Sequence, residues 1–131
     1  MIKVSLLVTA GPQRPGALTA LRTAQAVARS SHQLYRVFFY GDGVHLANRL
    51  ACREDVACDA QRGWQTLVAE HGWPASVCAG AALKRGVCDT TEARRAGLDD
   101  ANATLADGFT LVGLGDWVDA LTQSDRVVHF G

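Results

Sequence analysis

An α/β fold, with a parallel sheet sandwiched between helix layers, follows from three features of the 131-residue sequence. Five short runs, at residues 2–9, 33–40, 74–78, 109–112 and 126–130, read as strands rich in apolar, aromatic and β-branched residues. Segments of helical apolar spacing separate them, and strands alternating with helices imply βαβ units. The first run is almost continuously apolar, as a strand buried on both faces must be.

Taken in order, residues 2–9 form that buried strand, and the Gly/Pro-rich segment 10–16 turns the chain. Residues 17–29 read as a helix, with Leu18, Leu21, Ala24, Val27 and Ala28 tracing its apolar stripe. Residues 33–40 (QLYRVFFY) make the second strand, broken by Gly41-Asp42-Gly43, and 44–50 suit a short helix. After the polar Arg53-Glu54-Asp55, a helix at 59–71 turns Trp64, Leu67 and Val68 inward and ends at Gly72. The third strand, 74–78, passes directly into a short helix at 79–85 that stops at Gly86. Asp89 and Glu92 have capping-box spacing and open a helix ended by Gly97. A loop at 99–107, a weaker strand at 109–112, a helix at 116–123 and a last strand at 126–130 complete the chain.

Without repeats, low-complexity tracts or linkers, residues 1–131 read as one domain. A chain of this size buries roughly two-thirds of its unfolded surface, so a core needs no staples. Apolar residues make up 48% of the chain, which argues against disorder. The formal net charge of +0 gives no global attraction to nucleic acid or anionic membrane, so neither is expected as a direct partner. No apolar run approaches the ~20 residues of a membrane span. The apolar start is too short for a secretory signal and meets Gly11-Pro12 at once, so the expected compartment is the cytoplasm.

Cys78 is the leading candidate for chemistry. It closes the run Ala75-Ser76-Val77-Cys78 and opens the small-residue stretch Ala79-Gly80-Ala81-Ala82. A strand therefore delivers its thiol to the C-terminal rim of the sheet, where ligands collect in parallel α/β folds. There the sulfur meets the free N–H groups of a helix start, which favour thiolate, and thiolate is the nucleophile. Small neighbours leave it uncrowded. The same pattern also suits a buried core thiol, since free cysteine is among the most buried residue types. Lys84 and Arg85 lie ~9–10 Å along the helix, a distance that fits a docking patch or a solvated face better than contact with the thiolate. Cys52, Cys58 and Cys88 have no C-x-x-C spacing with Cys78 or one another, which disfavours zinc and thioredoxin-type chemistry. Cys88 is near enough in sequence to assist, or is a loop cysteine without a role.

The remaining motifs are weak. The 9–16 turn lacks both glycine-rich phosphate-binding patterns, and Gly113-Leu114-Gly115 reads as a tight turn before a helix. His32, His45, His71 and His129 are scattered without ligand spacing, and no metal or organic cofactor is expected. Trp64, Trp73 and Trp117, with Phe38, Phe39 and Tyr40, are enough aromatics to fill a core and leave some for a subunit interface.

Four stretches together resemble the TusD/DsrE family of sulfur-relay subunits. They are Val37-Phe38-Phe39-Tyr40 on to Gly43-Val44 and Ala47-Asn48-Arg49-Leu50; Val77-Cys78-Ala79-Gly80-Ala81-Ala82-Leu83-Lys84-Arg85-Gly86-Val87; Asp89 with Thr91-Glu92-Ala93; and Gly108 to Gly115, ending in Asp125-Arg126-Val127-Val128. The Gly108-Phe109-Thr110-Leu111 stretch is more similar to the TusD branch. Gly80 stands where the resemblance leads one to expect alanine, and Cys88 where an aliphatic residue is usual.

The resemblance implies a DsrE-like three-layer α/β/α sandwich around a five-stranded parallel sheet. It also implies a sulfurtransferase subunit, in which Cys78 accepts sulfane sulfur as a persulfide from a small donor protein and passes it to a downstream carrier. Paralogous subunits in a heterohexamer are the implied partners. The implied end product in the TusD branch is 2-thiouridine at the tRNA wobble position. A DsrE-type role in dissimilatory sulfur oxidation and a non-catalytic assembly subunit are the alternatives, and an α/β domain binding a small ligand at the strand ends rests on fold analogy alone.

Overall fold

The computed structural model describes residues 1–51 and 58–131. All pairings within its five-stranded sheet are parallel. The strands are β1 (Lys3–Val8), β2 (Gln33–Phe39), β3 (Ala75–Cys78), β4 (Phe109–Val112) and β5 (Arg126–Phe130), in the order β4-β3-β2-β1-β5. The helices are α1 (Pro15–Ala28), α2 (Cys58–His71), α3 (Ala79–Leu83), α4 (Thr90–Arg95) and α5 (Gly115–Gln123). The predicted fold class is the observed one.

Strand order determines the layering. The chain steps outward from β1 to β4 in one direction, then returns past three strands to β5 beside β1. Right-handed crossovers in opposite directions put their helices on opposite faces, so α5 stands across the sheet from α1 and α2. Consecutive aromatics of β2 divide accordingly, as side chains alternate along a strand. Phe39 packs edge-on against Trp64 of α2 at 5.4 Å and near Phe109 at 5.5 Å. Phe38 packs against Trp117 of α5 at 5.5 Å. Phe38, Phe39 and Trp64 are all fully enclosed. The aromatics thus serve mainly as core, with Tyr40 exposed and Trp73 stacked on His71.

Several local expectations change. α1 begins two residues earlier, at Pro15, whose missing N–H costs nothing in the first turn. Its buried stripe is Ala17, Ala20, Leu21 and Ala24, while Leu18 is exposed. The small stripe lets α1 lie close to the sheet. Residues 41–47 form 3-10 turns in place of the helix expected at 44–50, and Asn48 bridges to Leu105. Asp89 does cap α4, accepting from the Glu92 N–H at 2.9 Å, but the Glu92 carboxylate turns to Arg95 instead of closing the capping box. Cys52, Arg53-Glu54-Asp55 and the side chain of Cys58 lie outside the described residues.

The α5 face holds a polar cluster within the sheet. Arg36 of β2 donates to Ser76 Oγ at 2.9 Å and to Asp116 Oδ2 at 3.2 Å, and lies 3.6 Å from Asp119. Tyr35 donates to Asp119 Oδ2 at 2.6 Å, and that hydrogen bond, with burial adding to it, holds the phenol above its ordinary pKa. Arg36 thereby ties α5 to β2 and β3.

Candidate functional site at the tip of the third strand

β3 runs between β2 and β4, and its last residue, Cys78, pairs with Val112 of β4. Residue alternation puts Cys78 on the same sheet face as Ser76. At this rim the chain leaves each neighbouring strand through a Gly-x-Gly turn, Gly41-Asp42-Gly43 after β2 and Gly113-Leu114-Gly115 after β4. Gly41 adopts φ +54, and Gly43 lies so close to the Val8 carbonyl that no Cβ fits. The two turns leave an open crevice of about 420 Å³, lined by Tyr40, Gly41, Cys78, Gly80, Ala81, Lys84, Arg85 and Leu114.

Cys78 is more enclosed than its sequence context indicates. Only 5% of the residue is exposed, and access to it runs through this crevice. It is unbridged and serves as N-cap of α3 with extended backbone. α3 has five residues, so the helix dipole expected to act on the sulfur is that of little more than one turn. Gly80 has open space where a Cβ would be, which keeps the crevice wide beside the sulfur.

The two cations reach the site after all. Residues 80, 81, 84 and 85 share one side of the α3 turn, so Lys84 and Arg85 line the crevice that holds Cys78. Arg85 donates through Nε to Asp42 Oδ1 at 3.1 Å and through Nη1 to the Ala81 carbonyl at 3.1 Å. Lys84 and Arg85, read from sequence as a docking patch or a solvated face, thus line the opening beside the thiol.

Cys88 is not brought into this wall. It is half-buried, unbridged, and directs Sγ toward the Asn102 carbonyl at 3.9 Å. His32 accepts from the Ile2 N–H, His129 bonds Thr9, and His71 stacks on Trp73, so three of the four histidines have structural contacts elsewhere. No cluster of three or more His, Cys, Asp or Glu suited to a metal occurs among the described residues. Tyr40, Asp42 and Leu114 were not assigned to this site from sequence. Their signal was the pair of Gly-x-Gly turns, visible in the chain but informative only once β2 and β4 are known to flank β3.

Residues 3–130 match the profile of the DsrE/DsrF-like family. The chain belongs to that family. Its members are associated with sulfur transfer and typically form sulfur-relay complexes. Among solved structures, the crystal structure of the ychN protein from E. coli superposes with a TM-score of 0.75, covering 99% of this chain and 100% of that one at 20% sequence identity. That likeness bears on the fold, which the two share. No helix among the described residues of this DsrE/DsrF-like chain is long and apolar enough to cross a membrane.

Proposed function

We propose that this chain is a sulfurtransferase subunit of the TusD type, which takes sulfane sulfur onto Cys78 as a persulfide and relays it to a downstream carrier. The sulfur ends in 2-thiolation of the tRNA wobble uridine. The observation that carries this reading is the placement of Cys78 at a strand tip, enclosed yet opening into a crevice walled by small and basic residues. In the step itself, the Cys78 thiolate attacks the outer sulfur of the donor's persulfide. One S–S bond forms, one breaks, and the donor cysteine leaves as thiolate. A nearly enclosed sulfur that opens into a crevice suits this task. A visiting cysteine on a narrow segment enters, while bulk solvent and stray thiols have little access.

Other subunits complete this reading. On α5, Val118 and Leu121, three residues apart and so on one side of the helix, are 59% and 52% exposed. We assign that surface to paralogous subunits of a hetero-oligomer. The neutral chain is not itself the part that grips tRNA. The test is uptake of one sulfur atom from a persulfide-loaded donor protein, read by intact mass. Wild type gains the sulfur and Cys78→Ser does not. An adduct that persists unchanged in Cys78→Ser would end the proposal, and unimpaired tRNA thiolation in cells carrying that substitution would leave only the assembly role.

A further inference from the structure

We infer that Lys84 is a catalytic residue of this relay, its ammonium meeting the negative charge of the sulfur carried on Cys78, with Asp42 as the positioning residue that holds Arg85 aside. The inference rests on the persulfide reading above and assigns the charge that reading requires. A sulfur anion on a residue only 5% exposed has lost most of its water and needs a countercharge. The short α3 supplies little of one.

Two cations line the crevice, and the structure treats them differently. Arg85 is engaged by the Asp42 carboxylate and by the Ala81 carbonyl. Its charge is balanced and its guanidinium fixed. Lys84 is exposed and, among the described residues, has no carboxylate oxygen within 4.0 Å. It is the crevice cation with charge to spare.

Geometry brings it to the sulfur. Six residues at ~1.5 Å each separate Cys78 from Lys84 by about 9 Å along the axis. Side chains on a helix lean toward its N-terminus, which here is Cys78, so the four-carbon stem of a lysine at position 84 has the length and the direction to extend along the crevice. A persulfide lengthens the cysteine by one S–S bond of about 2 Å into the same space. The stem and the added sulfur close most of the gap from its two ends.

The chemistry uses this contact twice. When the Cys78 thiolate takes the outer sulfur of a donor R–S–SH, the new S–S bond leaves Cys78–S–SH, and the donor departs as R–S⁻. The outer S–H then loses its proton to water, and the resulting perthiolate faces Lys84. In the onward step an acceptor thiolate attacks that outer sulfur, and Cys78 leaves as thiolate beside the same ammonium. Each step makes one S–S bond and breaks one, so no oxidant or reductant enters.

A unit charge beside the sulfur in a crevice open to water shifts an equilibrium by about three- to tenfold. The experiment compares wild type, Lys84→Gln, Lys84→Arg and Asp42→Asn. Sulfur uptake from inorganic polysulfide is followed by intact mass. Alkylation of Cys78 is followed with anionic iodoacetate and neutral iodoacetamide. In Lys84→Gln, uptake slows and the iodoacetate-to-iodoacetamide rate ratio falls by about three- to tenfold, and Lys84→Arg restores both. Asp42→Asn moves the ratio the other way, because Arg85 loses its balancing carboxylate. A merely structural loss would slow both reagents alike and leave the ratio in place. Wild type that takes up no sulfur overturns the relay reading and this inference with it. Wild type that loads, with an unchanged ratio in Lys84→Gln, overturns the role of Lys84 alone.

Discussion

Gly80 separates access from stability within one position. It is helical, exposed, and has nothing within 4 Å of where its Cβ would stand, yet it lines the crevice beside Cys78. Glycine in a helix costs about 0.5–1 kcal/mol relative to alanine. Gly80→Ala therefore stabilises the chain by about that amount, a rise of about 2–5 °C in melting temperature for a domain of this size. One methyl in an opening of about 420 Å³ leaves sulfur uptake unchanged. Gly80→Leu keeps the favourable helix propensity and meets no backbone, but sets four carbons in the path to the sulfur. Melting stays at or above wild type while the rate of Cys78 alkylation by a bulky maleimide, and of uptake from a persulfide-loaded protein, falls at least about tenfold. The assays are thermal unfolding and time-resolved intact mass on the same samples. Wild-type rates in a well-folded Gly80→Leu protein would refute the crevice as the route to Cys78.

Three further outcomes follow from particular contacts. Gly43→Ala drives its Cβ into the Val8 carbonyl, a backbone atom that cannot turn away, and destabilises by about 3 kcal/mol or more in chemical denaturation. Phe39→Ala empties the junction of Trp64 and Phe109 under a fully buried ring and costs about 3–5 kcal/mol, visible in the same assay. Arg94 grips Asp100 with two bonds of 2.6 Å, and that hydrogen bonding, with the Arg94 charge, holds the Asp100 carboxyl below its ordinary pKa. A carboxyl with a lowered folded-state pKa contributes stability above its unfolded pKa and loses it as pH falls through the folded one. The melting temperatures of wild type and Asp100→Asn accordingly differ at neutral pH and converge as the solution is acidified past the carboxylate range.

Strand positions were legible because period and composition are local properties. The five runs read from the sequence are the five strands, within about two residues at each end. Strand order was not legible, since nothing in Arg126–Phe130 says that it returns to lie beside β1. The stripe of α1 was misjudged at Leu18 because helical spacing fits two registers there, and the sheet chose the one with alanines toward it. Arg36, inside the strand run QLYRVFFY, is held under α5 by Ser76, Asp116 and Asp119, partners 40 or more residues away that no local pattern connects. At the site, Cys78 and its basic followers were visible. The rest of the wall was not, because Tyr40 and Leu114 become neighbours of Cys78 only through sheet order.

The location of the crevice follows from what the sheet does elsewhere along the same rim. In open parallel sheets the natural crevice is the topological switch point, here between β1 and β5, where the crossover helices diverge to opposite faces. In this chain that position is filled. The Phe130 carbonyl accepts from the backbone N–H groups of both Thr9 and Ala10, at 2.9 and 3.2 Å. Thr9 Oγ1 is hydrogen-bonded to His129 Nε2 at 2.7 Å, and a Cβ on Gly16 would collide with the Gly131 carbonyl. With the switch point sealed, the opening at β3 comes from Gly-x-Gly turns on both flanking strands instead. Such a crevice needs no divergent helices to hold it open. It has small residues after the strand, basic residues one short helix turn on, and a thiol at the strand's last position, and residues 78–85 supply all three in one uninterrupted stretch.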